Sequence, residues 1–124
     1  MNDKIIQLNN LSNEEVRAFY SICEALIFPS LEEGFGWPIA KAQACGCLVA
    51  TTNRKPMTEV GGKAAIYITP ENPEEAAEII KQSIENEAII SKHSLENAKR
   101  FSNSVMTNSY IENYNKICKK INNV

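Results

Sequence analysis

The chain predicts a three-layer α/β fold: a parallel sheet of about four short strands between helices, closed by a C-terminal helical segment. Three observations carry that expectation. Short apolar runs alternate with helical periodicity as far as Ile68. The run at 25–28 is apolar throughout, the pattern of a strand covered on both faces, and 48–51 reads as a second buried strand. From Asn72 onward the periodicity is helical only.

Residues 5–8 (Ile5-Ile6-Gln7-Leu8) read as the first strand. Ser12 and Glu15 then have capping-box spacing and open a helix to about Cys23, with Val16, Phe19, Tyr20 and Cys23 on one face. Ala25, Leu26, Ile27 and Phe28 form the next strand, stopped by Pro29. A glycine-containing loop leads into a helix from about Trp37 to Cys45, with Pro38 in its first turn and Gly46 ending it. Leu48 opens a buried strand. One helical turn is expected at 57–60, then a strand at 65–68.

Asn72, Pro73 and Glu75 give an N-cap, a proline at the first helical position and an acid at the third. That helix is expected to reach about Asn86, with Ala76, Ala77, Ile80 and Ile84 inward. A second should run from about Glu87 to Phe101, with Ile90, Leu95 and Ala98 inward. A third follows to about Ile121, packing through Val105, Met106, Tyr110, Tyr114, Ile117 and Cys118.

Composition narrows the function. At 124 residues, one domain over 1–124 is expected. Thirteen basic against fifteen acidic residues leave a net charge of −2, so no nucleic-acid or anionic-membrane partner is called for. No apolar run approaches the length of a transmembrane segment, and Met1-Asn2-Asp3-Lys4 lacks a signal-peptide core. Cys23, Cys45, Cys47 and Cys118 show no C-x-x-C pair and sit in apolar segments, which suits buried free thiols. A zinc site would need further ligands, and His93 is the only histidine, in a polar stretch expected at the surface. These features suggest a cytoplasmic protein.

The chemistry is expected in the loop Ser30-Leu31-Glu32-Glu33-Gly34-Phe35-Gly36-Trp37-Pro38. In open parallel sheets ligands bind beyond the carboxyl ends of strands, and this loop and the one after Thr52 both follow strands. G-x-G-x-x-G and G-x-x-x-x-G-K-[ST] are both absent, so neither a dinucleotide fingerprint nor a P-loop is present. An acid pair remains, then two glycines around an aromatic, then a helix start. The carboxylates can accept hydrogen bonds from sugar-like hydroxyls. The amides of Phe35, Gly36 and Trp37 can hold a phosphate. The alternative is a tight turn with both acids solvated.

The run from Pro29 to Val49, P-S-x-x-E-G-F-G-x-P-x-x-K-A-x-A-x-G-x-x-V, resembles the signature of the group 1 glycosyltransferases, retaining GT-B enzymes of family 4. Thr58-Glu59-Val60-Gly61-Gly62-Lys63-Ala64-Ala65 resembles the stretch that follows it in the family. The resemblance implies a Rossmann-like fold and an incomplete C-terminal donor-binding domain. It implies a nucleotide-diphosphate sugar as donor substrate, no covalently bound cofactor and no required metal. Glu33 matches the first acid of the family's Glu-x7-Glu motif, which contacts the donor sugar. Gly34, Phe35 and Gly36 match the loop whose backbone contacts sugar and diphosphate, with Trp37 beside it.

Three departures accompany the match. Lys41 stands where the family has its second acid, which accepts from the ribose hydroxyls; a lysine has donors only, so either nucleotide binding is weakened or Lys41 contacts a phosphate instead, the alternative being a solvated helix residue. The family's basic pair, carried by earlier strand–helix units, has no counterpart before Ile5. The acceptor domain is absent. The sequence therefore suggests either a donor-domain subunit, completed by a partner chain or a second copy, or a non-catalytic binding or scaffold remnant. If the strand at 5–8 does not pair directly with that at 25–28, an apolar strand edge is left open, which invites a homo-oligomer.

Overall fold

A computed structural model describes residues 4–85 and 87–122, with side chains left aside at 87–90 and 122. The elements are α1 (Asn13–Ile22), β1 (Ala25–Phe28), α2 (Trp37–Ala44), β2 (Leu48–Thr52), α3 (Met57–Gly61), β3 (Ala65–Ile68), α4 (Pro73–Ile84), α5 (Glu87–Ala98) and α6 (Asn103–Asn122). Short 3-10 turns at Gly62–Ala64 and Lys99–Phe101 lead into β3 and follow α5.

The sheet is parallel, in the order β1-β2-β3. Ala50 lies opposite Ile27 on one side and Ile66 on the other. β2 is buried at every residue because it has a strand on each edge and helices over each face. Val49 points into a cluster with Ile39, Ala42, Met57 and Val60, under α2 and α3. Ala50 points the other way, with Ile68, Ala76 and Ile80 under α4. Each fully buried side chain of this size contributes roughly 1.5–3 kcal/mol. The two threonines ending β2 are also buried. Their hydroxyls donate to the carbonyls of Phe28 (2.8 Å) and Ser30 (2.6 Å), so neither hydroxyl is stranded.

Local signals set the helix ends. Ser12 and Glu15 close a full capping box on α1. Asn72 caps α4, with Pro73 in the first turn. Gly46, at φ 77°, ends α2 in the left-handed conformation that a side chain resists.

Several expectations are corrected. The sheet has three strands, not four: residues 5–8 form no strand, and Ile5 and Ile6 lie exposed. β1 is therefore an edge strand and is not buried on both faces; Ile27 is 55% exposed. Phe19 and Cys23 of α1 are exposed, leaving Val16 and Tyr20 half-buried against α2. Ala77 is exposed, α4 ends before Asn86, and Asn86 and the side chain of Ile90 lie outside the described residues. Leu95 is exposed and Ala98 half-buried. Only Cys47 is buried; Cys45 is half-buried, and Cys23 and Cys118 are exposed. The expected packing face of α6 is exposed along its whole length.

Candidate functional site

The glycine loop leaves β1 and the Asn53-Arg54-Lys55-Pro56 loop leaves β2 at the same edge of the sheet, as the alternating pattern requires. The Thr52 hydroxyl bridges them by donating to Ser30. Glu32, Glu33, Gly34 and Lys55 together line a shallow, open cavity of about 610 Å³ at the surface. The Ser30 hydroxyl lies 2.9 Å from Glu33 Oε1 and 3.0 Å from the Glu32 carbonyl, and can donate to either. That contact steadies the Glu33 carboxylate while leaving it exposed.

Lys55 supplies the opposite charge. Its ammonium sits 2.9 Å from Glu59 Oε1, and the hydrogen bond and charge of Glu59 raise its pKa above the ordinary lysine value. Arg54 pairs with Glu71 at 3.1 Å. The cavity thus offers carboxylate acceptors for hydroxyls and one ammonium for an anion.

The two loop glycines serve different needs. Gly36, at φ 91°, is the N-cap of α2, and a Cβ there would meet Ile39 Cδ1 at 3.3 Å. The fold itself requires that glycine. A Cβ at Gly34 would meet nothing within 4 Å, so no part of the described protein demands it. No side chain caps the first turn of α2, whose N-terminus faces the loop.

The loop is tied to the far end of the chain. Phe35 packs against Trp37 with tilted rings whose centroids are 4.6 Å apart and meets Phe101 edge-on at 5.6 Å. The Arg100 guanidinium lies 5.1 Å from the Phe101 ring. Beneath it, the side-chain amide of Asn97 donates to Gln43 Oε1 (2.7 Å) and the Val60 carbonyl (2.8 Å). Gln43, fully buried, donates to the Gly61 carbonyl at 3.0 Å. Arg100 in turn donates to Asn97 Oδ1 at 2.7 Å. This network fixes α2, α3 and α5 relative to one another below the site.

Sequence reasoning did not find Ser30, Gln43, Asn97, Arg100 or Phe101 as positioning residues. Gln43 had a readable signal: a glutamine among alanines on the inner face of α2. Asn97 had none, because nothing local marks one helical asparagine as a bridge.

The predicted residues divide. Glu33 and Gly34 line the loop cavity; Trp37 and Lys41 do not. Phe35 is half-buried beneath the loop. Trp37 is 53% exposed and lines, with Lys41, Lys92 and Lys99, a groove of about 780 Å³ between α2 and α5. Lys41 also borders a groove of about 510 Å³ with Arg17 and Tyr20 of α1. Burial, the dominant cause, pushes the Tyr20 phenol up.

Among the described residues, no group of three or more His, Cys, Asp or Glu side chains is arranged to hold a metal. No described helix is long and apolar enough to cross a membrane.

Comparison with known proteins gives this edge of the sheet its context. Residues 1–104 match the family model described as "Glycosyl transferases group 1". "O-antigen chain mannosyltransferase B" of Escherichia coli is 30% identical over 110 residues, covering 86% of this chain and 29% of that protein. "O-antigen chain mannosyltransferase RfbU" of Salmonella typhimurium is 32% identical over 81 residues, covering 65% of this chain and 23% of that protein. "Serotype-specific mannosyltransferase WbdA" of Escherichia coli is 30% identical over 78 residues, covering 63% of this chain and 10% of that protein. The chain thus spans less than a third of these relatives. With the family match running from the first residue through α5 and including the whole glycine loop, the chain belongs to the group 1 glycosyl transferases.

Proposed function

We propose that residues 1–124 are the donor-binding part of a sugar-nucleotide-dependent glycosyltransferase, with a nucleoside-diphosphate mannose as the donor. The observation that carries this reading is the loop cavity, where exposed Glu33 and the Gly34 backbone face Lys55 at the carboxyl edge of the sheet. The family match and the three mannosyltransferase relatives support both the reaction type and the sugar.

In this reading Glu33 accepts hydrogen bonds from donor-sugar hydroxyls. The backbone from Gly34 to Trp37 and the start of α2 face the diphosphate, and Lys55 opposes its charge. The acceptor oxygen bonds to the anomeric carbon on the face from which the diphosphate departs, and the acceptor's proton passes to the departing nucleoside diphosphate. As in the GT-B enzymes of family 4 that the loop resembles, configuration is retained and no metal is needed. Lys41 contacts a phosphate rather than the ribose diol. The acceptor domain lies outside residues 1–124, and the protein works in the cytoplasm.

A second reading is a non-catalytic binding or scaffold remnant. One observation favours it: Lys41 has donors only and does not share the Glu33 cavity. Calorimetric titration with guanosine-, uridine- and adenosine-diphosphate mannose separates the two. The donor reading expects saturable binding that Glu33→Gln and Gly34→Ala weaken about tenfold or more without lowering the melting temperature. Absence of binding at millimolar ligand, unrestored by Lys41→Glu, rejects an active donor site and leaves the scaffold reading.

A further inference from the structure

The two walls of the loop cavity come from separate parts of the chain: Glu33 and Gly34 follow β1, and Lys55 follows β2. The turn Lys99–Phe101 reaches both walls through successive residues. Phe101 meets Phe35 edge-on with centroids 5.6 Å apart, and both rings pack against the cluster around Ile39. Phe35 stands between Gly34 and Gly36. Glycine on either side leaves the backbone free to move, so the Phe35 ring is where the loop is anchored. Arg100 reaches the other wall, where its Nη2 donates to the Glu59 carbonyl at 3.2 Å. The Glu59 side chain holds the Lys55 ammonium at 2.9 Å.

The Arg100 bond is one of a set. α3 has five residues, so its last carbonyls lack partners within the helix. Arg100 takes that of Glu59, and the Asn97 amide takes those of Val60 (2.8 Å) and Gly61 (3.2 Å). The fit is close: a Cβ at Gly62 would lie 2.6 Å from Asn97 Oδ1 and 3.2 Å from Arg100 Nη1. Asn97 Oδ1 holds the same guanidinium at 2.7 Å, beside the Phe101 ring, which ties the two contacts of the turn to each other.

We propose that the turn Lys99–Phe101 is a clasp that sets the spacing between the Glu33–Gly34 and Lys55 walls, with Phe101 and Arg100 as positioning residues for the donor. Neither residue lines the cavity, so Phe101 acts through Phe35 and Arg100 through Glu59. A ligand that spans both walls needs them at a fixed separation, and a shift of about 1 Å can cost about 100-fold. The effect on a ligand rests on the donor-binding reading; the effect on the two loops does not.

Hydrogen exchange of the ligand-free chain, read by mass spectrometry, tests the clasp. Phe101→Ala should speed amide exchange in residues 31–37 and Arg100→Gln in 57–61, each about tenfold or more, while β2 exchanges as in the parent. Trp37 is the only tryptophan and packs against Phe35. Its near-ultraviolet dichroism should fall in Phe101→Ala and return in Phe101→Tyr, which keeps the ring. Calorimetric titration with guanosine-diphosphate mannose should show affinity lowered about tenfold or more by Phe101→Ala and by Arg100→Gln, and restored by Phe101→Tyr. Arg100 is exposed, so Arg100→Gln carries the test alone where Phe101→Ala does not fold. Unchanged exchange in both loops, exchange that rises as much in β2, or loosened loops with unchanged affinity each overturns the proposal. A parent chain that binds no sugar nucleotide overturns the donor-binding reading instead, and the exchange and Trp37 signals, which need no ligand, then decide the clasp.

Discussion

β2 with α2 and the stripe of α6 are apolar to a similar degree in sequence, yet they end in opposite places. Leu48, Val49 and Ala50 have a strand on either edge, α2 and α3 on one face and α4 on the other. Tyr110, Tyr114, Ile117 and Ile121 have solvent. The difference teaches that periodicity states which face of an element wants cover, while topology decides whether cover exists. β1 lies between the extremes: its inner edge pairs with β2, and its outer edge and Ile27 are bare.

The sharpest way to break the comparison is to damage the covered region. Ile39 is fully buried, sits in the cluster around Val49, and lies within 3.3 Å of the Cβ position at Gly36. Ile39→Ala should cost about 2–5 kcal/mol, a large share of the roughly 5–15 kcal/mol expected for a domain. Urea titration followed by far-ultraviolet circular dichroism measures it. The same truncation of Ile117 should change the midpoint little. Equal losses at the two positions would mean that α6 is packed after all.

Next in size is the network joining the covered region to the helix that leads out of it. Asn97→Ala leaves the buried Gln43 Oε1 and the Val60 carbonyl short of a donor. The expected cost is about 1–3 kcal/mol, again by urea titration. Asn97→Asp should be no better, because it restores the acceptor for Arg100 but not the donor for Gln43.

This contrast also shows what was legible. The glycine loop, the caps at Ser12 and Asn72, and the stop at Gly46 are local features, set by a few adjacent residues, and the sequence displayed them. The shared edge of Glu33 and Lys55 followed from strand alternation. The network of Gln43, Asn97 and Arg100 joins residues tens of positions apart, and no local pattern encodes it. The missing first strand and the bare face of α6 failed for one common reason. Both segments have the right pattern, but each needs a partner surface that the described residues do not provide.

The smallest expected effect concerns α1, an exposed helix that, unlike α6, holds itself at its N-terminus. The backbone N–H of Ser12 donates to Glu15 Oε2 at 2.7 Å and the Ser12 hydroxyl does so at 2.8 Å. These bonds, the backbone one first, hold the Glu15 carboxyl below the usual carboxylate range. A carboxylate whose pKa is depressed on folding adds stability above its unfolded pKa, and that stability is lost as pH falls through the folded pKa. Acidification from about pH 6 to about pH 3 should therefore weaken the wild-type chain more than Glu15→Ala, in which the carboxylate half of the capping box is already gone. Parallel loss in both proteins would show that the Glu15 half of the capping box contributes nothing measurable. α1 would then owe its helix to Val16 and Tyr20 against α2, the kind of cover that α6 lacks.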